Sequence, residues 1–182
     1  MIHLSNLAEH PRIVIVGSSG SGKSYLGRAL AGRLGRDYHE LDRIAWGETW
    51  KRRPDFRERV EALVAHDAWV IEGNYKSMRD LVWSRATAVV WLNYSILVAL
   101  RRASWRSVRR IVRGEKLWGG NRETFRRAFL STEGPVLWIL QSHHRRRREY
   151  RQLFQTEYKH LTVFEARHPR DVEAIFRESL WP

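Results

Sequence analysis

The chain has 182 residues, 43% of them hydrophobic, with 33 Lys/Arg against 20 Asp/Glu and a formal net charge of +13. That length and apolar content predict one domain, residues 1–182, built around a single substantial core. The lack of cysteine excludes disulfides, Cys-ligated zinc and thiol chemistry; with no run near the ~20 apolar residues of a membrane-spanning helix and no secretion-type start over Met1 to His10, a cytoplasmic protein without a membrane partner is expected.

In chain order, Arg12-Ile13-Val14-Ile15-Val16 is a β-branched apolar run and predicts a buried parallel strand. It leads into Gly17-Ser18-Ser19-Gly20-Ser21-Gly22-Lys23-Ser24, a full match to G-x-x-x-x-G-K-[ST], and then into a helix marked by Leu26, Leu30 and Leu34. Strand, glycine loop and helix together present consecutive backbone N–H groups and a helix N-terminus to an anion. Gly17, Ser18, Ser19, Gly20, Ser21, Gly22, Lys23, Ser24 and Tyr25 are therefore the expected binding residues for a nucleoside triphosphate, ATP. Lys23 would reach the β/γ-phosphates and the Ser24 hydroxyl would hold Mg²⁺.

Tyr38 to Asp42 predicts a second strand that ends on Asp42, and Pro54 opens a helix through about His66. Ala68 to Glu72 predicts a third strand stopped by Gly73-Asn74. A short helix over Tyr75 to Trp83 and a fourth strand over Ala86 to Leu92 follow. A long helix from about Ser95 to Arg113 is predicted to turn Leu97, Leu100, Val108 and Ile111 inward. Its other face carries Arg102, Arg106, Arg109 and Arg113 as one cationic stripe. After a break at Gly114 and Gly119-Gly120 come helices over Arg122 to Leu130 and Pro135 to Gln152, a fifth strand at Leu161 to Phe164, and a closing helix over Pro169 to Leu180. Strands alternating with helices imply an α/β fold with a parallel sheet covered on both faces.

Ligands of open α/β sheets sit beyond the carboxyl ends of the strands, which makes Asp42 and Glu72 the candidate carboxylates. Asp42 would serve metal and acceptor hydroxyl. Glu72 would orient the metal shell or take a proton from the acceptor. Of nine tryptophans, Trp69 and Trp91 fall in strands and belong to the core, whereas Trp46 and Trp50 follow Asp42 where a base or sugar would approach. Residues 101–151 hold fifteen Lys/Arg against four acids, a local balance of +11 that suits polyanionic phosphates. Arg109 and Arg113 at the helix end would close over a transferring phosphoryl group. The same stripe would also track a nucleic-acid backbone, or form a solvated face.

Two further patterns accompany the phosphate loop: Leu41 to Trp50 reads L-D-x-x-x-W-x-x-x-W, and Trp69 to Tyr75 reads W-[IV]-I-[DE]-G-N-Y. Together they resemble the bacterial DNA topology modulation protein family, small adenylate-kinase-related P-loop proteins. The similarity runs from about Arg12 to the last helix and is closest through Tyr75. It implies a nucleoside-monophosphate-kinase-like core, a three-layer α/β/α sandwich with a five-stranded parallel sheet in the order 2-3-1-4-5, and an arginine-rich helical lid at about 101–151. The chain departs from the family at Asn93, where an aspartate is common. An amide lacks the charge that draws in a Mg²⁺ shell, which shifts that role from the fourth strand to Asp42 and Glu72 beside Ser24. Lys23, Asp42, Glu72, Arg109 and Arg113 form the expected catalytic set. Three functions stand open: an ATP-dependent kinase acting on a small-molecule acceptor, a nucleotide or nucleoside; a DNA-binding P-loop ATPase affecting DNA topology; and a nucleotide-binding protein with decayed catalysis.

Overall fold

The computed structural model describes residues 1–177. In chain order the regular elements are α1 (Leu4–Ala8), β1 (Arg12–Gly17), α2 (Lys23–Leu34), β2 (Asp37–Glu40), α3 (Leu41–Ala45), α4 (Phe56–Val64), β3 (Trp69–Glu72), α5 (Arg79–Arg85), β4 (Ala88–Leu92), α6 (Ile96–Arg113), α7 (Pro135–Gln155), β5 (Thr162–Ala166) and α8 (Ala174–Arg177). The strands form one five-stranded parallel sheet in the order β2-β3-β1-β4-β5, the order implied by the kinase resemblance.

The strand sequences explain the layers. Successive side chains of a strand point to opposite faces, and a parallel sheet buries both. Val14, Val16, Ile71, Val89 and Trp91 join one apolar cluster with Phe56 and Val60 of α4, Val82 of α5, and Tyr150 and Phe154 of α7. Their alternates Ile13, Ile15, Val70, Val90 and Leu92 join a second cluster with Leu4 and Leu7 of α1, Leu26 and Leu30 of α2, and Ile175 of α8. The sheet thus separates two cores, and β1 runs through the middle of both.

Several elements differ from their sequence-based expectation. β2 stops at Glu40 because Leu41 and Ala45, four apart and both buried, wind the next five residues into a helical turn. Asp42 therefore sits in the first turn of α3 rather than at a strand end. The helix expected from Pro54 begins at Phe56. In α6 the fully buried residues are Ala99, Ala103 and Ser107; of the expected inward residues Leu100 is partly buried beside them, whereas Leu97 is 75% and Val108 41% exposed. The cause is a backbone approach: a Cβ on Gly20 would lie 2.6 Å from the Ala103 nitrogen. Only small side chains fit so close a contact. The helix expected over Arg122 to Leu130 shrinks to a π-helical turn, Arg126–Leu130. At the end of the chain, a 3₁₀ turn at Pro169–Val172 and α8 replace the first part of the closing helix. The remainder of that helix, and Trp181, lie outside the described residues. The sequence pattern gave no hint of α1, whose Leu4 and Leu7 are buried.

Candidate active site

β1 delivers Gly17 to the sheet's carboxyl edge and α2 begins at Lys23, so the residues between form a half-buried turn on that edge, with Ser21 buried and Gly22 exposed. Gly20 and Gly22 hold φ of +74° and +97°, which side chains rarely adopt and which let successive N–H groups turn toward one centre. The Lys23 ammonium folds back on the loop, donating to the carbonyls of Gly17 (3.1 Å) and Ser18 (3.2 Å). Its enclosed position pushes its pKa below the usual lysine range, and the nearby Glu72 and Asp42 carboxylates partly oppose that shift. Tyr25 is directed away from the loop and stacks on Phe176, ring centroids 4.9 Å apart.

Glu72, only 3% exposed at the end of β3, accepts hydrogen bonds on one oxygen from the Ser24 hydroxyl (2.5 Å) and the Tyr38 hydroxyl (3.1 Å). Burial, then the Glu72 charge, raises the Tyr38 pKa and keeps its hydroxyl a donor. Asp42 instead accepts from the Tyr75 hydroxyl at 2.5 Å. The carboxylate bonded to Ser24 is thus Glu72, not Asp42. A serine hydroxyl bonded to a buried carboxylate is a hard oxygen pair of the kind that suits Mg²⁺, which uses few protein ligands and completes its shell with phosphate oxygens and water. Among the described residues no cluster of three or more His, Cys, Asp or Glu offers a cage made of protein alone. Asn93 is buried and commits its amide nitrogen to Glu165.

Two arginines of α6 reach the loop, and they are not the pair expected. Arg106 donates to the Ser19 hydroxyl at 2.9 Å and Arg102 to the Ser21 carbonyl at 3.5 Å. Because Ala103 packs on Gly20, the loop meets the positions just beside residue 103. Arg109 pairs with Glu115 at 3.7 Å. Arg113, in the last turn, lies about 10 Å farther along the helix axis than Arg106.

Other residues complete the site, Asn74 from the Trp69 to Tyr75 pattern and His143, Arg146 and Arg147 without a local sequence signal. Asn74 brackets Gly17, His143 Nδ1 lies 3.2 Å from the Ser18 hydroxyl, and Arg146 and Arg147 line a cleft with Gly17, Ser18 and Asn93. The Arg52 guanidinium sits 5.2 Å from the Tyr75 ring centroid, 5.8 Å from Phe56 and 6.0 Å from Trp46. Trp50 packs edge-on against Trp46 and Trp118 and carries the Arg127 guanidinium 4.4 Å from its ring, so its faces are engaged within the protein.

No family model matches the chain. Shikimate kinase of Corynebacterium efficiens is 32% identical to it over 119 residues, which span 56% of this chain and 69% of that protein. The chain belongs to the shikimate kinase-like P-loop kinases. Membership carries ATP-dependent phosphotransfer with it. Solved structures agree on the fold. Shikimate kinase from Acinetobacter baumannii in complex with shikimate superposes with a TM-score of 0.58 at 19% identity, over 96% of this chain and 93% of that one. Shikimate kinase from Bacteroides thetaiotaomicron gives 0.55 at 19% identity over 92% and 96%. Deoxyadenosine kinase from M. mycoides with bound dCTP gives 0.50 at 14% identity over 91% and 97%. These relatives share the kinase core of the resemblance drawn from the sequence, and nothing in them concerns DNA topology. No helix among the described residues of this kinase is long and apolar enough to cross a membrane.

Proposed function

We propose that this kinase transfers the γ-phosphoryl group of ATP to a hydroxyl of a small anionic acceptor bound beside Asp42. The observation that carries the reading is the convergence of opposite charges on one glycine loop: Lys23 bonds the Gly17 and Ser18 carbonyls, Arg106 bonds the Ser19 hydroxyl, Arg146 lines the cleft beside Gly17 and Ser18, and Glu72 accepts from Ser24. The loop amides, with Lys23 released from its two carbonyls, hold the triphosphate. Ser24, with Glu72 and Asp42 acting through water, would hold Mg²⁺, which supplies neutralisation of charge on the phosphate oxygens. The acceptor oxygen forms a bond to the γ-phosphorus as the bond to the β-bridging oxygen breaks, and the hydroxyl proton passes to the Asp42 carboxylate, aimed by Tyr75. Arg102 and Arg106 stabilise the charge on the transferring group from the α6 side, and residues 101–151 act as the lid that excludes water.

An anionic acceptor is supported by two cations near this cluster, Arg52 and Arg146. Among the described residues neither makes an ion pair within 4 Å, although Arg146 acts on Glu149 at longer range; both rest against aromatic rings. Carboxylate and phosphate share the required chemistry, so shikimate and nucleoside monophosphates are the first candidates and neutral nucleosides are disfavoured. The DNA-binding reading has less support, since Arg102 and Arg106 address the loop while Arg109 and Arg110 pair with Glu115 and Glu123. The test is coupled ADP release across shikimate, nucleoside monophosphates, nucleosides and gluconate. Stimulation by a hydroxylated acid, lost in Lys23→Ala and Asp42→Asn, is the expected result. No stimulation by any acid, or equal stimulation by nucleosides, would refute the anionic-acceptor reading.

A further inference from the structure

We propose that Asn74 is a positioning residue for nucleotide binding, holding the entry to the phosphate loop through both ends of its side-chain amide. The Gly17 N–H donates to Asn74 Oδ1 at 3.1 Å, and Asn74 Nδ2 donates to the Gly17 carbonyl at 2.5 Å. The place where this happens explains why it is needed. The β1–β3 ladder pairs Ile15 with Glu72, and its last main-chain bond runs from the Gly73 N–H to the Ile15 carbonyl at 3.2 Å. Beyond it both chains bend, Gly17 with φ +155° and Gly73 with φ +147°. The next rung would use the N–H and C=O of Gly17. Asn74 supplies both missing partners from its side chain, so the ladder extends one rung past the point where the backbones part.

The Gly17 carbonyl has a second partner, the Lys23 ammonium at 3.1 Å. When Lys23 moves to a phosphate, that carbonyl loses one donor, and an unpaired polar group in a half-closed site is unfavourable. Asn74 remains, so Lys23 can leave without the loop entry rearranging to find a new partner. The amide is itself held. The Tyr150 hydroxyl, on a residue 1% exposed, donates to Asn74 Oδ1 at 3.2 Å and fixes which end of the amide faces the Gly17 N–H. Tyr150 belongs to α7, the helix that also brings His143 to Ser18. Asn74 thus couples the packing of α7 to the shape of the nucleotide site.

The inference rests on the ATP-binding reading above, and the experiment separates the two. Three variants, Asn74→Ala, Asn74→Asp and Tyr150→Phe, are compared with the native kinase. The readouts are MgATP binding by calorimetry, KM for ATP and for the acceptor, and nucleotide-free melting temperature. Asn74→Asp keeps the size and the acceptor atoms but loses the donor to Gly17. Loss of these bonds is expected to raise Kd for MgATP about tenfold or more in both Asn74 variants and a few-fold in Tyr150→Phe. KM for ATP should rise in parallel and KM for the acceptor should stay level. A merely structural contact would lower the melting temperature and leave Kd for MgATP alone. MgATP binding within twofold of native in Asn74→Asp and Tyr150→Phe overturns the positioning role, even if Asn74→Ala does not fold. If the native kinase binds no MgATP, the proposed function itself falls, and the role of Asn74 with it.

Discussion

Replacing Gly20 by alanine tests the contact on which the nucleotide site depends. The residue holds φ +74°, and the added Cβ would meet the Ala103 nitrogen at 2.6 Å and its Cα at 2.9 Å. The left-handed backbone costs about 1–2 kcal/mol for a residue with a side chain. Driving a methyl group into a helix backbone costs about 1–3 kcal/mol more, because backbone cannot swing aside as a side-chain tip can. The sum, roughly 2–5 kcal/mol, should lower the melting temperature by about 4–20 °C in a chain this long. Relief by moving α6 outward would withdraw Arg102 and Arg106 from Ser21 and Ser19, so MgATP affinity should fall as well. Differential scanning calorimetry and isothermal titration are the assays. Trimming the partner with Ala103→Gly should not rescue the variant, since the two nearest atoms are main chain. A Gly20→Ala kinase that melts within a degree of native and binds MgATP normally would refute the argument.

Gly32, in the interior of α2 with open space around it, is the opposite case: Gly32→Ala should stabilise by about 0.5–1 kcal/mol, measurable by urea unfolding. The Glu40 carboxyl is pushed above the usual range by burial, then by Glu72 and Asp42. Its charged form is therefore unfavourable in the fold, and stability is lost as pH rises through the raised pKa. Glu40→Gln should raise the melting temperature at pH 7 and leave it unchanged at low pH, where the native carboxyl is already neutral. His143 has the reverse sign. Burial, then His144 and Arg147, depresses its pKa below 6.5, so the unfolded chain binds more protons and stability falls as pH drops below about 6.5. His143→Asn should flatten that part of a pH–stability profile recorded by thermal melts; an unchanged slope would count against it.

Much of this was legible from local pattern. The glycine loop, its strand and its helix are contiguous, and the hydrogen-bond demands of a phosphate site are met within eight residues. The two-faced sheet followed from β-branched runs such as Ile13 to Val16. Long-range contact was not legible. Leu97, Val108 and Ile111 carry the apolar signal of α6, but the inward side was decided by how closely the helix backbone meets Gly20, a matter of small volume at Ala99, Ala103 and Ser107. The same contact decided which arginines meet the loop. A stripe spaced i, i+4, i+7, i+11 marks a face and is silent about which turn of it lies over a ligand. Read as one short strand, residues 38–42 put Asp42 at a strand end; the joint burial of Leu41 and Ala45 instead winds residues 41–45 into a helical turn. His143 and Arg146 lie far along the chain from the loop and nothing local announces them, whereas Asn74 stands in the Trp69 to Tyr75 pattern, which marks the position but not its partner Gly17.

The outward side of α6 has a practical meaning. Leu97, Trp105 and Val112, each more than 70% exposed, lend the native fold little buried area, while Ala99, Ala103 and Ser107 are fully buried, with Ile96, Val98 and Leu100 packed partly beside them. Polar replacements along the wet side are therefore a free choice for making the protein better behaved at high concentration, whereas enlarging Ala99, Ala103 or Ser107 by even one carbon would prise the helix from its seat.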